Sequence, residues 1–263
     1  MRKLLITTLL AAAACSSNSD KNPPGDDQPP PPPGTDGGTT DPTLRQDADD
    51  VAAVVGANLN VAELPAMRAT IDLAFGRVPD GFTEDIPGSL PTGKGSVTGV
   101  FGGLTYTIAY ECHSAGEVVI ACNGAEDHTR MVVKFSGAMA TADVSTDGVS
   151  ESGVWYVRGL ATGPHIGGKG KMTFVSTLAT GTYTVSLTED SGHLLFDAAA
   201  PLLPSGGTDD FVLTVHRTRV DAEDRDFTVN AHVEVVGPDA ATLTLDATDS
   251  YNITLSTGVV VHL

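Results

Sequence analysis

His216, His232 and Glu234 are the residues whose types and spacing come nearest to a reaction centre. Strand alternation places them on one polar face beside Asn230, and two imidazoles with a carboxylate can bind zinc. No HxH or HxxxH pair fixes them, so exposed histidines are the plainer reading and no metal is assigned. Gly163 to Gly170, GPHIGGKG, matches the first seven positions of the phosphate-binding loop GxxxxGK[ST], then offers Gly170 where a metal-binding hydroxyl is required. Strand-like Lys171 to Leu178 follows where that loop needs a helix N-terminus, so the segment reads as a Gly-rich turn between strands. Ser191, in Asp190-Ser191-Gly192-His193, lacks the GxSxG elbow of a hydrolase nucleophile and reads as a hairpin turn. Asp221, Glu223, Asp224 and Asp226 could gather Ca²⁺, but they lack the glycine and terminal glutamate of an EF-hand loop and read as a solvated turn. No catalytic residue and no cofactor is assigned.

The three cysteines carry a different chemistry. Arg2 and Lys3 form a charged start, Leu4 to Ala14 an apolar run, and small residues precede Cys15, which is the pattern of a secretory signal. Such a run is too short to span a bilayer. Ala12, Ala13, Ala14 and Cys15 resemble the lipobox of bacterial lipoproteins, and the resemblance covers only the first fifteen residues. It implies lipidation of Cys15 by diacylglycerol and an amide-linked acyl chain, hence a stable membrane anchor. Ala12 stands where that family commonly has Leu, which leaves cleavage after Ala14 by ordinary signal peptidase as the alternative. Ser16 is similar to the residue that follows the cysteine in lipoproteins released to the outer membrane, so that membrane is favoured and the leaflet is left open.

With Cys15 committed to lipid, Cys112 and Cys122 remain as an even pair in a compartment that permits disulfides. A tight turn at Ser114 to Glu117 would set Cys112 opposite Val118, too far from Cys122 to bond. Either His113 to Ala121 is a loop stapled by a disulfide, which is the expectation, or both thiols are merely buried.

Ser16 to Thr43 hold eight of the sixteen prolines and no aliphatic or aromatic side chain, so nothing there offsets the entropy of ordering the backbone. This is expected to be a disordered tether spanning about 30 Å. Without Arg2 and Lys3, 13 of the 15 basic residues remain against 33 acidic ones, a net charge of about −20. Binding to nucleic acid depends on basic clusters that release counterions, so nucleic acid is excluded as a partner.

The elements that must position any site fall into two blocks. Residues 46–82 read as two short helices: one behind Asp47, Asp49 and Asp50, interrupted near Gly56 and Asn58 to Asn60, and one from Pro65 with Met67, Ile71, Ala74 and Phe75 on one face. Their apolar stripe is expected to pack on the β domain, the alternative being a face that docks on a partner. From 83 to 263, short Val, Thr, Ile and Tyr runs are broken by Gly, Asp, Asn and Pro every ten residues or so. One hairpin turns at Thr180 and Gly181, setting Leu178 opposite Tyr183, Ser176 opposite Val185 and Phe174 opposite Leu187. A second pairs Phe211 to Val220 with Phe227 to Val236 around Asp221 to Arg225, its inner face holding Phe211, Leu213, Val215, Val229, Ala231, Val233 and Val235. The layout is a signal peptide (1–14), a tether (15–45), a helical segment (46–82) and an antiparallel β domain (83–263). The fold class is mainly β, an antiparallel sandwich or a soluble barrel with two short N-terminal helices. A membrane-spanning barrel needs two aromatic girdles, and the chain has only 14 aromatic residues.

These observations describe a lipid-anchored cell-envelope protein with a non-enzymatic structural or protein-binding role, its partners the membrane and an envelope protein. The alternative is a β-barrel or sandwich cavity for a small apolar or glycan molecule, lined by Trp155, Tyr156 and the Tyr106 to Tyr110 strand. A third reading is a periplasmic hydrolase whose site assembles from distant residues.

Overall fold

The computed structural model describes residues 42–190, 192–197 and 202–263. The signal segment, Cys15, Ser191 and all of the tether before Pro42 lie outside them. The described chain opens with a helix, α1 (Pro42–Asn58), which passes through a π turn (Leu59–Glu63) into α2 (Leu64–Ala74). The expected break between two helices is therefore a wide turn inside one continuous 33-residue helix, which begins within the stretch assigned to the tether.

Pro65 explains the π turn. Proline has no N–H to offer the Val61 carbonyl, and its ring crowds that same carbonyl. Widening the preceding turn relieves the crowding, and Leu64 N–H donates to Leu59 O across the wider ring. The orphaned carbonyl is satisfied from the sheet, where the Tyr106 hydroxyl lies 3.1 Å from Val61 O and 3.2 Å from Ala62 O. Tyr106→Phe should therefore destabilise the fold by about 1–3 kcal/mol, the cost of an unmet buried acceptor. Urea unfolding would show it, and an unchanged midpoint would mean that the π turn stands without the sheet.

Gly56 does not interrupt the helix either. A Cβ there would come within 2.6 Å of the Gly258 carbonyl, so the glycine marks a close helix-to-turn approach.

Thirteen strands follow: β1 (Phe82–Glu84), β2 (Lys94–Phe101), β3 (Leu104–His113), β4 (His128–Ala140), β5 (Ser145–Arg158), β6 (His165–Thr177), β7 (Thr182–Asp190), β8 (His193–Phe196), β9 (Pro204–Thr218), β10 (Arg225–Gly237), β11 (Ala240–Leu245), β12 (Asp249–Thr254) and β13 (Val259–His262). All pairings are antiparallel and in chain order, except that β9 pairs with β7 while short β8 bridges β6 and β9. One sheet thus replaces the two of a sandwich. It curls around the helix, with α1 against β11 to β13 and α2 against β3 to β5.

Alternation sends one strand face inward onto this helix and the other to solvent. The helix is accordingly buried on nearly all sides, from Val51 to Ala74, and is a core element with no free docking face. Its three N-terminal aspartates tie it to the sheet. They lie beyond the first turn, so they do not act as helix-start charges. Asp47 accepts from Arg217, Asp49 from Tyr251, and Asp50 from Thr180 and Tyr183.

Both expected hairpins hold their faces but not their register. Ser176 pairs with Tyr183 and Phe174 with Val185, a shift of two residues. In β9 and β10, His216 pairs with Asp226 and His232 with Asp210. Gly102 and Gly103 form the two-residue β2–β3 turn, both with positive φ (58° and 88°), as a type I′ turn requires.

Candidate functional site

A groove of about 970 Å³ lies on the outer face over β5 to β8. Its floor exists because of glycines. Gly153 pairs with Gly170, Trp155 with Gly168 and Tyr156 with Gly167, so β6 offers almost no side chains where it crosses β5. A Cβ on Gly168 would come within 2.6 Å of the Trp155 ring, and one on Gly167 within 2.5 Å of the Gly192 carbonyl. The GPHIGGKG segment is thus largely strand, not a turn, and its glycines are spaces that other groups occupy.

Beneath the floor sit four carboxyls. Glu63 comes from the π turn, Glu151 from β5, Glu189 from β7 and Asp209 from β9, and all four are buried. A Cβ on Gly170 would overlap Glu151 Oε1 and approach Glu189 Oε2 to 2.8 Å, so the two carboxyls flank the space that this glycine leaves open. Trp155 Nε1 donates to Glu189 Oε2 at 3.2 Å. Burial, then the Glu189 charge, pushes Glu151 up to about 8, and burial pushes Glu189 up to about 7 despite the indole bond. Glu63 and Asp209 are raised well above the usual carboxylate range, chiefly by burial and then by Glu189. At neutral pH Glu151 is therefore mostly protonated and Glu189 about half so.

The walls are cationic, in a chain with 15 Lys and Arg against 33 Asp and Glu. Arg158, Lys169, Lys171, His165 and His193 line the groove with Tyr156. The Arg158 guanidinium sits 5.7 Å from the Tyr156 ring centre, and the rings of His165 and His193 are 4.6 Å apart. Burial, then His193 and Arg158, lowers the His165 pKa.

At one end of the groove, His128 pairs in register with both His113 and Arg158, and its ring centre is 6.1 Å from that of Tyr156. The Cys112–Cys122 disulfide, with Cα atoms 5.4 Å apart, closes the loop beside these residues, which is the expected staple. Among the described residues, His113, Glu117 and His128 are the group with metal-ligand spacing.

The zinc candidates do not meet. With His216 opposite Asp226 and His232 opposite Asp210, the two histidines lie six residues apart along the hairpin, about 20 Å at strand rise. Each pairs with its own aspartate, at 2.8 Å and 2.7 Å, and Glu234 stands opposite Thr208. In the acidic turn, Asp221 bonds Arg219 at 2.9 Å, which holds its carboxyl below the usual range, and Asp226 is taken by His216. Trp155, Tyr106 and Tyr110 are fully buried in the core and do not line the groove, whereas Tyr156 reaches it.

Glu189 and Asp209 carried a signal that sequence reasoning missed, since each extends an inward row (Tyr183, Val185, Leu187; Phe211, Leu213, Val215) with a carboxylate at a core position. No family model, curated protein or solved structure matches this chain.

Proposed function

We propose that the folded domain is a non-enzymatic binding module, carried in the cell envelope on a lipid-anchored tether, whose outer groove takes a small acidic sugar or glycan fragment. The observation that carries this reading is the gathering of Arg158, Lys171 and two histidines in one groove of a strongly acidic chain. The floor complements them: Glu189, the carboxyl of the four that lines the groove, can when protonated donate a hydrogen bond to an anion that an ionised carboxylate would repel. The size is that of a small-molecule site, and Tyr156 supplies an aromatic face for a sugar ring. An interior cavity for an apolar ligand is disfavoured, because the helix fills the space inside the sheet.

Calorimetric titration with a uronic-acid disaccharide and its neutral counterpart tests the reading. The acidic sugar should bind and the neutral one should not, with affinity falling as salt rises. Arg158→Ala and Lys171→Ala should each weaken binding about tenfold, the worth of one charged hydrogen bond. Equal binding of both sugars would sink the anionic reading. Release of monosaccharide during the titration, lost in Glu189→Gln, would make the domain a hydrolase instead.

A further inference from the structure

We propose that His113, Glu117 and His128 form a binding site for a divalent transition metal of the zinc class, held in shape by the Cys112–Cys122 disulfide and independent of the sugar reading. His113 Nδ1 and His128 Nε2 each lie 3.8 Å from Glu117 Oε2, and the three ligand atoms are all within 4.8 Å of one another. Ligands about 2.0–2.1 Å from a tetrahedral ion stand about 3.4 Å apart, so the set needs only a small contraction to close on one. Two neutral imidazoles and one carboxylate are a zinc donor set with a fourth position left for water or a ligand. Glu117 is exposed at the solvent side, whereas both histidines are largely buried.

Two further observations point to an ion. Nδ1 of His113 is buried with no hydrogen-bond partner, an uncommon state for an imidazole nitrogen unless it serves as a ligand. Behind each imidazole stands a carboxylate. Asp127 Oδ2 is 3.1 Å from His128 Nδ1, and Glu111 Oε2 is 3.7 Å from His113 Nε2. Asp127, bonded to the far nitrogen of His128, fixes the tautomer that presents Nε2 to a metal, whereas Glu111 stands beyond hydrogen-bond distance and supplies a negative charge behind His113. Glu111 is itself paired with Lys94, at 2.5 Å. Arg158, opposite His128, is the cation nearest in register, and its guanidinium sits over Tyr156.

The loop geometry depends on the staple. Cys112 immediately precedes His113 on β3, and the bridge to Cys122 returns the loop so that Glu117 folds over the two histidines. Ser114 N–H donates to Val118 O, Ile120 N–H to Cys112 O and Asp127 N–H to His113 O, which brings the loop back to β4. Loss of the bridge would free the segment that carries Glu117 and so weaken binding through the three ligands.

The test uses the oxidised, chelator-stripped protein titrated with Zn²⁺ against a chromophoric competitor, and with Co²⁺ for its visible spectrum. One ion per chain and intense tetrahedral Co²⁺ bands are expected. His113→Ala, His128→Ala and Glu117→Ala should each abolish saturable binding, and Asp127→Asn should weaken it about 10–100-fold. The Cys112→Ser/Cys122→Ser variant, which loses the bridge without freeing thiol ligands, should bind more weakly, and His216→Ala should bind as the parent does. Glu117 is a solvent-side residue, so its variant remains folded even if a histidine variant does not. Absence of stoichiometric binding, or binding unchanged in Glu117→Ala, overturns the site.

Discussion

Asp47→Ala should destabilise the protein by about 3–5 kcal/mol, because it strands buried positive charge. Asp47 sits in α1 and receives Arg217 Nη1 at 2.8 Å and 2.9 Å on its two oxygens, with Arg225 Nη1 at 3.3 Å and Arg219 Nη1 at 3.7 Å. Asp47 and Arg217 are 3% and 2% exposed, so solvent cannot take over when one is removed. Arg217 also donates to the Glu223 carbonyl, and this single guanidinium therefore ties the helix, β9 and the β9–β10 loop together. Taking out both members leaves less unpaired charge. Asp47→Ala/Arg217→Met should thus cost less than the two single changes summed, and the cost of Asp47→Ala should barely change with salt. Guanidinium unfolding of the four proteins measures this, although guanidinium itself screens charge, so urea with added NaCl is the control. A loss below about 1 kcal/mol for Asp47→Ala would show that the triple arginine contact is not what seats the helix.

The second large effect is a dependence of stability on pH that runs opposite to that of a protein resting on ionised carboxylates. Glu151 and Glu189 have folded pKa values of about 8 and about 7, above the value of 4.5 expected when unfolded, and Glu63 and Asp209 are shifted in the same direction. Between pH 4.5 and 8 the folded state then holds more protons than the unfolded one, so this contribution is fully present below 4.5 and is lost as pH rises through 7 and 8. Each pKa unit is worth about 1.4 kcal/mol, which makes the loss several kcal/mol across the quartet. Thermal unfolding from pH 4 to 9 should show a maximum near pH 5 and a clear fall by pH 8. Glu151→Gln and Glu189→Gln cannot ionise, so each should melt higher than the parent at pH 8 and differ little from it at pH 5. Parent and variant curves that stay parallel across the range would mean that these carboxyls are not protonated in the fold.

The same protons link stability to the proposed binding. A groove floor that is neutral at pH 6 and charged at pH 9 would hold an acidic sugar more tightly at the lower pH. Because Trp155 donates to Glu189, the indole also serves as an optical reporter of that ionisation.

How far the sequence reaches is shown by particular residues. Alternation placed Phe211, Leu213 and Val215 inward and Thr214, His216 and Thr218 outward, as they are found. This is local steric chemistry, since successive side chains on a strand point to opposite faces whatever lies across from them. Mainly β architecture, helical character before it and a bonded Cys112–Cys122 pair follow from signals of the same short range. Register does not. A slide of two residues leaves every face unchanged, so Ser176 could meet Val185 or Tyr183 with the same pattern, and only packing around the central helix decides. In the β9–β10 hairpin a separate difference of register parts His216 from His232, while the β3–β4 register set His113 opposite His128. Pro65 announced a helix start, yet in the fold it became an interior residue, because the Tyr106 hydroxyl meets the carbonyl that proline leaves open. Gly168 and Gly170 read as loop residues because glycine favours turns, and only a neighbouring strand shows that their missing side chains make room for an indole and two carboxyls. Faces and element types belong to neighbours along the chain, whereas the groove, the buried protons and the histidine pair belong to neighbours across the sheet.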